Sequence, residues 1–408
     1  MAAFKQAKGE LKQRLASLND TLNRRMHAAT HLDYEDWLKS HQPFHWLAEF
    51  YQIIKGNGGF DVIIGNPPYV GYTRKNKVSK KAIIDIYQVY RYKTLPTSNL
   101  YAFSIERSHQ LMHDNSQIGM IIPISAFANS SMEELQQLFK TEFGRMYIST
   151  FHQRPAQLFD GVLQRLSVFI TTKHNSEHTI FTTGINRWYT ETRDKLFCLL
   201  SYVESPQIHQ PHFVKLGSKI EVDIFNKYVS HTPIRCYIGG TDNPNNSLYY
   251  RTAGGGYWVT FLNAEFDCVS VSNKHTVIRE EIIAKALSAA LNSNLFWWYY
   301  SINFDLFNFK DYMIFGFQFT YTYQKSLDSI IKLSDQMETS LRTNAIYYSI
   351  NSATNGLNET VTYQKFKSKE IMDAIDKELT KVYELTEEEL DFIINYDIKY
   401  RMGDELNE

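Results

Sequence analysis

Cysteine is scarce: three in 408 residues. Cys198, Cys236 and Cys268 are far apart, odd in number and without Cys-x-x-Cys spacing. That excludes a disulfide framework and a zinc knuckle, leaves no metal site in view, and predicts buried free thiols. Long apolar runs are also missing, and Met1 is not followed by a signal-peptide core, so a cytoplasmic location and no membrane partner are expected. The net charge is only −1, yet residues 370–408 hold 13 acidic and 4 basic side chains, which leaves +8 for residues 1–369. A basic body with an acidic tail is compatible with nucleic-acid binding. With 14% aromatic and 21% charged residues, the chain has the composition of a folded protein of two or three domains.

Periodicity divides the chain. Leu11, Leu15, Leu18, Leu22 and Met26 recur every three or four residues and predict a helix. The segment "DYEDWLKSHQPFHWLAEFYQII" predicts one or two short helices. Phe60–Ile64, bounded by Gly58-Gly59 and Gly65, reads as a strand apolar on both faces. A helix is expected from Asn99 to His113, a buried strand at "IGMIIPIS" and a helix at "SMEELQQLF". Two more strands, near "MYISTFH" and "LSVFITTK", fit an antiparallel end of the sheet. Strands alternating with helices predict an α/β sheet covered on both faces. From about Asn186 the pattern turns to hairpins. "EEIIAKALSAALNSNLFWWYYSINF" then reads as one helix, and the tail as helical, with Thr386 and Glu389 as a capping box flanked by Leu385 and Leu390.

The most informative stretch is "GGFDVIIGNPPYVGY" at 58–72. Ligands of open α/β sheets gather outside the carboxyl ends of the strands, where Asn66, Pro67, Pro68 and Tyr69 stand. Two prolines stiffen the loop and remove two N–H donors, so it presents carbonyl acceptors. Asn66 adds another acceptor and Tyr69 a flat aromatic face. Paired acceptors beside a stacking surface suit an amino group on a planar ring. They favour the pyramidal amine and free its lone pair for attack without a strong base. A base treated in this way must leave the duplex, and stacking on Tyr69 offsets part of that cost. The bland alternative is a Pro-Pro turn whose tyrosine merely packs.

"FDVIIGNPPYV" resembles the catalytic motif of adenine-N6 DNA methyltransferases, in particular the type IIG restriction–modification enzymes with γ-type motif order. "PFHWLAEF", "NLYAFSIERSHQLM", "GMIIPISAF", "RPAQLFDGV", "LNSNLFWWYY" and "VYELTEEELDFII" resemble the same family, so the likeness covers most of the chain. It implies an α/β fold: the C-terminal part of a Rossmann-like methyltransferase sheet, then an α+β target-recognition domain and a helical tail. The corresponding segments are a helical lead-in (1–57), the catalytic part (58–185), target recognition (186–345) and the tail (346–408). The implied activity is site-specific methylation of adenine in double-stranded DNA, of restriction–modification or phage-defence type, with S-adenosyl-L-methionine as donor. Asn66 and the Pro67 carbonyl would hold the amine, Tyr69 would stack on the base, and Phe159 would face its other side. Asn99, Leu100 and Tyr101 would form part of the donor pocket, where Ser104 stands at a position often aromatic in the family.

In that family the glycine-rich donor loop precedes the catalytic strand, whereas residues 1–57 contain only Gly9 and Gly56 and read as helix. The main donor-binding motif is therefore expected outside this chain. The expectation is a truncated product or one half of a split enzyme whose upstream-encoded partner carries the donor site. The strand at 60–64 would then present an apolar, unpaired edge.

Other candidates are weaker. Arg74, Lys75, Lys77, Lys80 and Lys81 form a basic loop suited to phosphate contacts or simply to solvent. His41/His45 and His109/His113 have i, i+4 spacing without the glutamate of a zinc hydrolase. Gly254–Gly256 reads as a hairpin turn, and Phe296–Tyr300 as a core face or domain contact. No paired-carboxylate-plus-lysine set for a nuclease stands out. Two rival functions remain: a non-catalytic DNA-binding or specificity subunit, and a methyltransferase acting on RNA or on protein glutamine.

Overall fold

The computed structural model describes residues 2–28, 30–71, 91–173, 178–206, 212–240, 243–252, 259–307, 309–321, 326–352 and 356–402. The chain forms two compact units: 1–151 with 164–181 and 208–212, and 152–163 with 182–207 and 213–408. Among the described residues no helix is long and apolar enough to cross a membrane.

The first unit opens with α1 (Ala2–His27). Its apolar stripe has the expected spacing, yet Phe4, Leu11, Leu18 and Met26 face solvent. Helix α2 (Tyr34–His41) starts on Asp33, whose carboxylate accepts from the Glu35 and Asp36 amides. It buries Trp37 among the rings of His27, Tyr34 and His41. Helix α3 (Trp46–Glu49) is tied to α1 by Asn19 donating to Glu49 (2.8 Å) and by the His45 ring on Asn23 (2.7 Å).

Strand β1 (Phe60–Gly65) follows. Gly59 has to be glycine: at φ +145° its Cβ would lie 2.5 Å from the His113 nitrogen and 2.6 Å from the Leu111 oxygen. Helix α4 (Leu100–Leu111) leads directly into β2 (Met112–Pro123). That strand begins six residues earlier than its apolar run and stops at Pro123, because 125–128 turn into a short helix, α5 (Ser125–Ala128). Helix α6 (Glu133–Glu142) precedes β3 (Met146–Phe151) and β4 (Leu166–Thr172).

These strands make a mixed sheet in the order β1-β2-β4-β3. β1 and β2 are parallel, with Ile63 opposite Ile118 and Gly65 opposite Met120. β4 runs antiparallel to both β2 and β3, the antiparallel end expected from the sequence. Among the described residues β1 has the apolar, unpaired edge expected of it. It is an edge, with Val62 55% and Ile64 83% exposed.

In the second unit the hairpin-rich region yields β5 (Val203–Glu204), β6 (Ser247–Arg251), β7 (Phe261–Leu262) and β8 (Asn273–Val277). The last three form a small antiparallel sheet with β6 in the middle. The single long helix expected at 280–304 is two helices, α7 (Glu281–Asn292) and α8 (Asn294–Asn303). The Ser293 hydroxyl accepts from the Phe296 amide, and the buried Asp376 carboxylate accepts from the Asn294 and Leu295 amides. Those acceptors satisfy a fresh helix start and so break the run. Phe296 to Tyr300 are all buried, the core face expected of them.

Helix α9 (Ser326–Thr343) is followed by a hairpin of β9 (Ala345–Ser352) and β10 (Gly356–Tyr363). It occupies the start of the segment expected to be helical from 346. The alternation in "AIYYSINS" and "ETVTY" is a period-two pattern that the reading of the tail passed over. Helices resume with α10 (Lys369–Tyr383) and α11 (Glu387–Asn395), and α11 has the expected Thr386–Glu389 capping box. Of the thiols only Cys268 is buried; Cys198 and Cys236 are exposed, against expectation. Ile180–Asn186 is a strand that the sequence reading missed, a β-branched run masked by its threonines and glycine.

Lys215 is fully buried, with its ammonium donating to the Ile302 carbonyl (2.9 Å), which also accepts from the Lys215 amide. Burial depresses it to about 7. Because its folded value lies below its unfolded one, this group adds stability as pH rises from 7 towards 10. Lys215→Met should remove that rise and leave the Ile302 carbonyl paired; urea unfolding of both proteins at pH 7 and pH 9 measures it.

Candidate active site

Asn66–Tyr69 leave the carboxyl end of β1 in the first unit. β1 ends at Gly65, opposite Met120, while β2 runs on for three residues to Pro123. Past its last partner, the Ile121 carbonyl accepts the Tyr69 hydroxyl at 2.8 Å. The loop is closed again at the next residue, where the Leu100 amide at the start of α4 donates to the Val70 carbonyl (3.0 Å), and Gly71 bridges Asn99. The turn is thus fixed by the sheet at one point and by a helix at the other.

Within it Pro67 is buried, Pro68 and Asn66 are exposed and Tyr69 is half-buried. Burial pushes the Tyr69 phenol up to about 12, so it stays protonated and keeps donating. Its ring meets Tyr101 edge-on at 6.5 Å. Tyr101 is buried, its hydroxyl directed at the Met132 sulfur (3.2 Å), and burial raises it too to about 12. The arrangement gives the turn a rigid backbone, an exposed carboxamide and a held aromatic ring.

A residue that the sequence reading missed is Glu106, buried on α4. Its carboxylate accepts from the Lys93 amide (3.0 Å), the Thr94 amide (2.9 Å) and the Thr94 hydroxyl (2.8 Å). It therefore pins the segment entering α4, the helix that closes the loop. The signal was an acid on the apolar face of "NLYAFSIERSHQLM".

The residues assigned to the donor are mostly engaged elsewhere. The Leu100 amide is used by Val70, and Tyr101 is closed inside the core. Asn99 stands at the helix start without capping it. Ser104 bonds the Leu100 carbonyl (3.1 Å) and lines an apolar groove of about 530 Å³ beside β1. Of these residues only Asn99 keeps a side-chain amide outside the helix hydrogen bonds.

Phe159 lies in the second unit. It opens a turn whose Val162 amide donates to the Phe159 carbonyl (3.1 Å). Arg193, also missed, donates to the carbonyls of Gln157 (3.0 Å) and Leu158 (2.7 Å) and sets that turn's shape. Arg74, Lys75, Lys77, Lys80, Lys81 and Gly254–Gly256 lie outside the described residues. The histidines have local partners: His109 packs edge-on against Phe143, and His113 bonds Asp61 (3.0 Å).

Residues 2–159 match the Eco57I restriction-modification methylase family. A type II restriction enzyme and methyltransferase of Escherichia coli, Eco57I itself, is 24% identical over 205 residues, which are 50% of this chain and 20% of that protein. A Methanocaldococcus jannaschii protein, provisionally named a type II restriction enzyme and methyltransferase, is 29% identical over 120 residues, 29% of this chain and 9% of its own length. The chain thus spans a fifth or less of these curated relatives. Among solved structures, the type IIL restriction-modification enzyme MmeI in complex with DNA covers 83% of this chain and 57% of that one, at 12% identity and a TM-score of 0.47.

Two substitutions test how the loop is held. Tyr69→Phe should lower stability by about 1 kcal/mol, since the Ile121 carbonyl loses its partner while the ring remains. Glu106→Gln should cost about 1–3 kcal/mol, because one carboxylate oxygen becomes an N–H₂ facing donors. Denaturant unfolding at neutral pH measures both.

Proposed function

From a chain whose residues 2–159 match the Eco57I restriction-modification methylase family, we infer a DNA adenine-N6 methyltransferase of restriction–modification or phage-defence type, acting in the cytoplasm. The observation that carries this reading is the Asn66–Tyr69 turn, held at Ile121 and Val70 outside the end of a strand. Asn66 and the Pro67 carbonyl accept the hydrogens of the adenine amine, Pro68 keeps the turn stiff, and Tyr69 stacks on a base swung out of the duplex. S-adenosylmethionine, bound mainly outside this chain, supplies an electrophilic methyl group. The held amine would attack that methyl group directly, S-adenosylhomocysteine would leave, and the amine would lose its proton to solvent.

Double-stranded DNA is the substrate. Arg74, Lys75, Lys77, Lys80 and Lys81 contact its phosphates, and the region 186–345 reads the target site, with 346–408 as a C-terminal tail. The donor half comes from an upstream-encoded subunit, and Asn99 lies at its border. The second reading, a DNA-binding specificity subunit without turnover, draws on the engagement of Leu100 and Tyr101 away from any ligand.

Incubation with labelled donor and DNA, with and without the upstream-encoded polypeptide, separates the two. Methylation is expected with the companion present, and Asn66→Ala should reduce it on the order of 10²-fold or more, as loss of one aligned polar group does elsewhere. No methylation in either case, with DNA binding intact, would favour the specificity subunit. Lys77→Ala with Lys80→Ala should weaken DNA binding and lower the slope of log K against log salt by about 1 per lost phosphate contact.

A further inference from the structure

The hairpin of β9 and β10 in the second unit has two unlike sides. β10 is docked: Val361 and Tyr363 are buried, and Arg251 donates to the Val361 carbonyl (2.9 Å). β9 is the outer strand, and among the described residues no other strand pairs with it. Ile346, Tyr347 and Tyr348 are 47%, 56% and 46% exposed, so both of its faces show large apolar side chains to solvent. Soluble edges are normally blunted by charge, proline or a bulge. The strand "AIYYSINS" has no charge and no proline, and its register with β10 runs unbroken from Ala345–Tyr363 to Ser352–Gly356. It is also held in place. The Tyr347 hydroxyl donates to Asp267 (3.0 Å), which Arg342 binds too, and the Tyr348 hydroxyl bonds that of Thr362 (3.0 Å). Val269 and Val271, just past Asp267, are wholly exposed and enlarge the apolar surface.

The docked side tells which peptide groups of β9 are free. The Val361 carbonyl points to Arg251, away from β9, so Val361 and Tyr347 form the non-hydrogen-bonded kind of antiparallel pair. Tyr347 therefore turns its own N–H and C=O outward, as do Ala345, Ser349 and Asn351 by the same alternation. We propose that this edge pairs with the same edge of a second copy of the chain, antiparallel about a two-fold axis, to make one four-stranded sheet. Residues 345–363 hold no lysine or arginine to meet a phosphate, which disfavours a nucleic-acid occupant. β9 has no charge, so two copies meet there without repulsion. A two-fold axis at Tyr348 overlaps residues 345–351 of both strands and sets the two Tyr348 rings opposite each other. In that register Tyr347 lies opposite Ser349 and Ala345 opposite Asn351, so outward N–H groups meet outward carbonyls. Arg251 covers the far edge of the hairpin at Val361, so the assembly closes at two copies. The proposal does not depend on the methyl-transfer reading.

Sedimentation of the full chain over a range of protein concentrations, with amide hydrogen exchange, tests this. A monomer–dimer equilibrium is expected, with exchange at the Tyr347 and Ser349 amides slowing as the dimer forms. Tyr348→Lys should weaken the dimer at least ~10-fold, because it sets two ammonium groups against each other at the axis. Ser349→Pro should weaken it as well. It removes an outward N–H that the hairpin itself does not use, and an edge strand tolerates proline there. Both side chains are exposed, so the variants should fold as monomers, and circular dichroism checks that. A monomer at every concentration, larger open-ended assemblies, or a dimer indifferent to either substitution would each overturn the proposal. Protection of Tyr347 and Ser349 that appears only when duplex DNA is added to a monomer would overturn it too, and would give this edge to DNA.

Discussion

The Tyr69 hydroxyl on the Ile121 carbonyl is the contact on which the candidate site depends. β2 outruns β1 by three residues, and a strand that outruns its neighbour leaves carbonyls without partners. An unpaired half-buried carbonyl costs free energy, so the side chain that fills it is held firmly. One bond thereby completes the sheet and sets the ring that the proposed chemistry needs. The second anchor, Val70 to Leu100, couples the same turn to α4, and Glu106 couples α4 to the segment before it.

Rigidity matters here because the proposed chemistry has no strong base. Acceptors aimed at an amine help only if they need not reorganise as the transition state forms. Two prolines, a sheet bond and a helix bond restrict a turn of a few residues. The exposed Asn66 carboxamide is left as the free polar group at its mouth. The donor side contrasts with this: Leu100 and Tyr101 are absorbed into the packing, and β1 presents a bare edge.

Much of the first unit was legible in the sequence. Gly58-Gly59 before a β-branched run and Asn-Pro-Pro-Tyr after it carry strong local signals, and the structure has a strand and a turn there. The unpaired apolar edge of that strand was expected as well, and the structure has it among the described residues. The break at Ser293 was hidden because its cause, Asp376, lies 82 residues further along the chain. The hairpin at 345–363 was lost between two helical segments, although its alternation was visible. Glu106 escaped because an acid on an apolar face reads as noise until its amide partners are known. Phe159 rests on the resemblance, and the basic loop on its run of charge alone.

The most direct test of the central claim is the chemical identity of the product. DNA from cells expressing the chain, with and without the polypeptide encoded immediately upstream, would be digested to nucleosides and analysed by mass spectrometry, beside the Asn66→Ala variant. N6-methyldeoxyadenosine that appears with the wild-type chain and vanishes with the variant is the predicted result. N4-methyldeoxycytidine in its place, or N6-methyldeoxyadenosine undiminished by Asn66→Ala, would contradict the account.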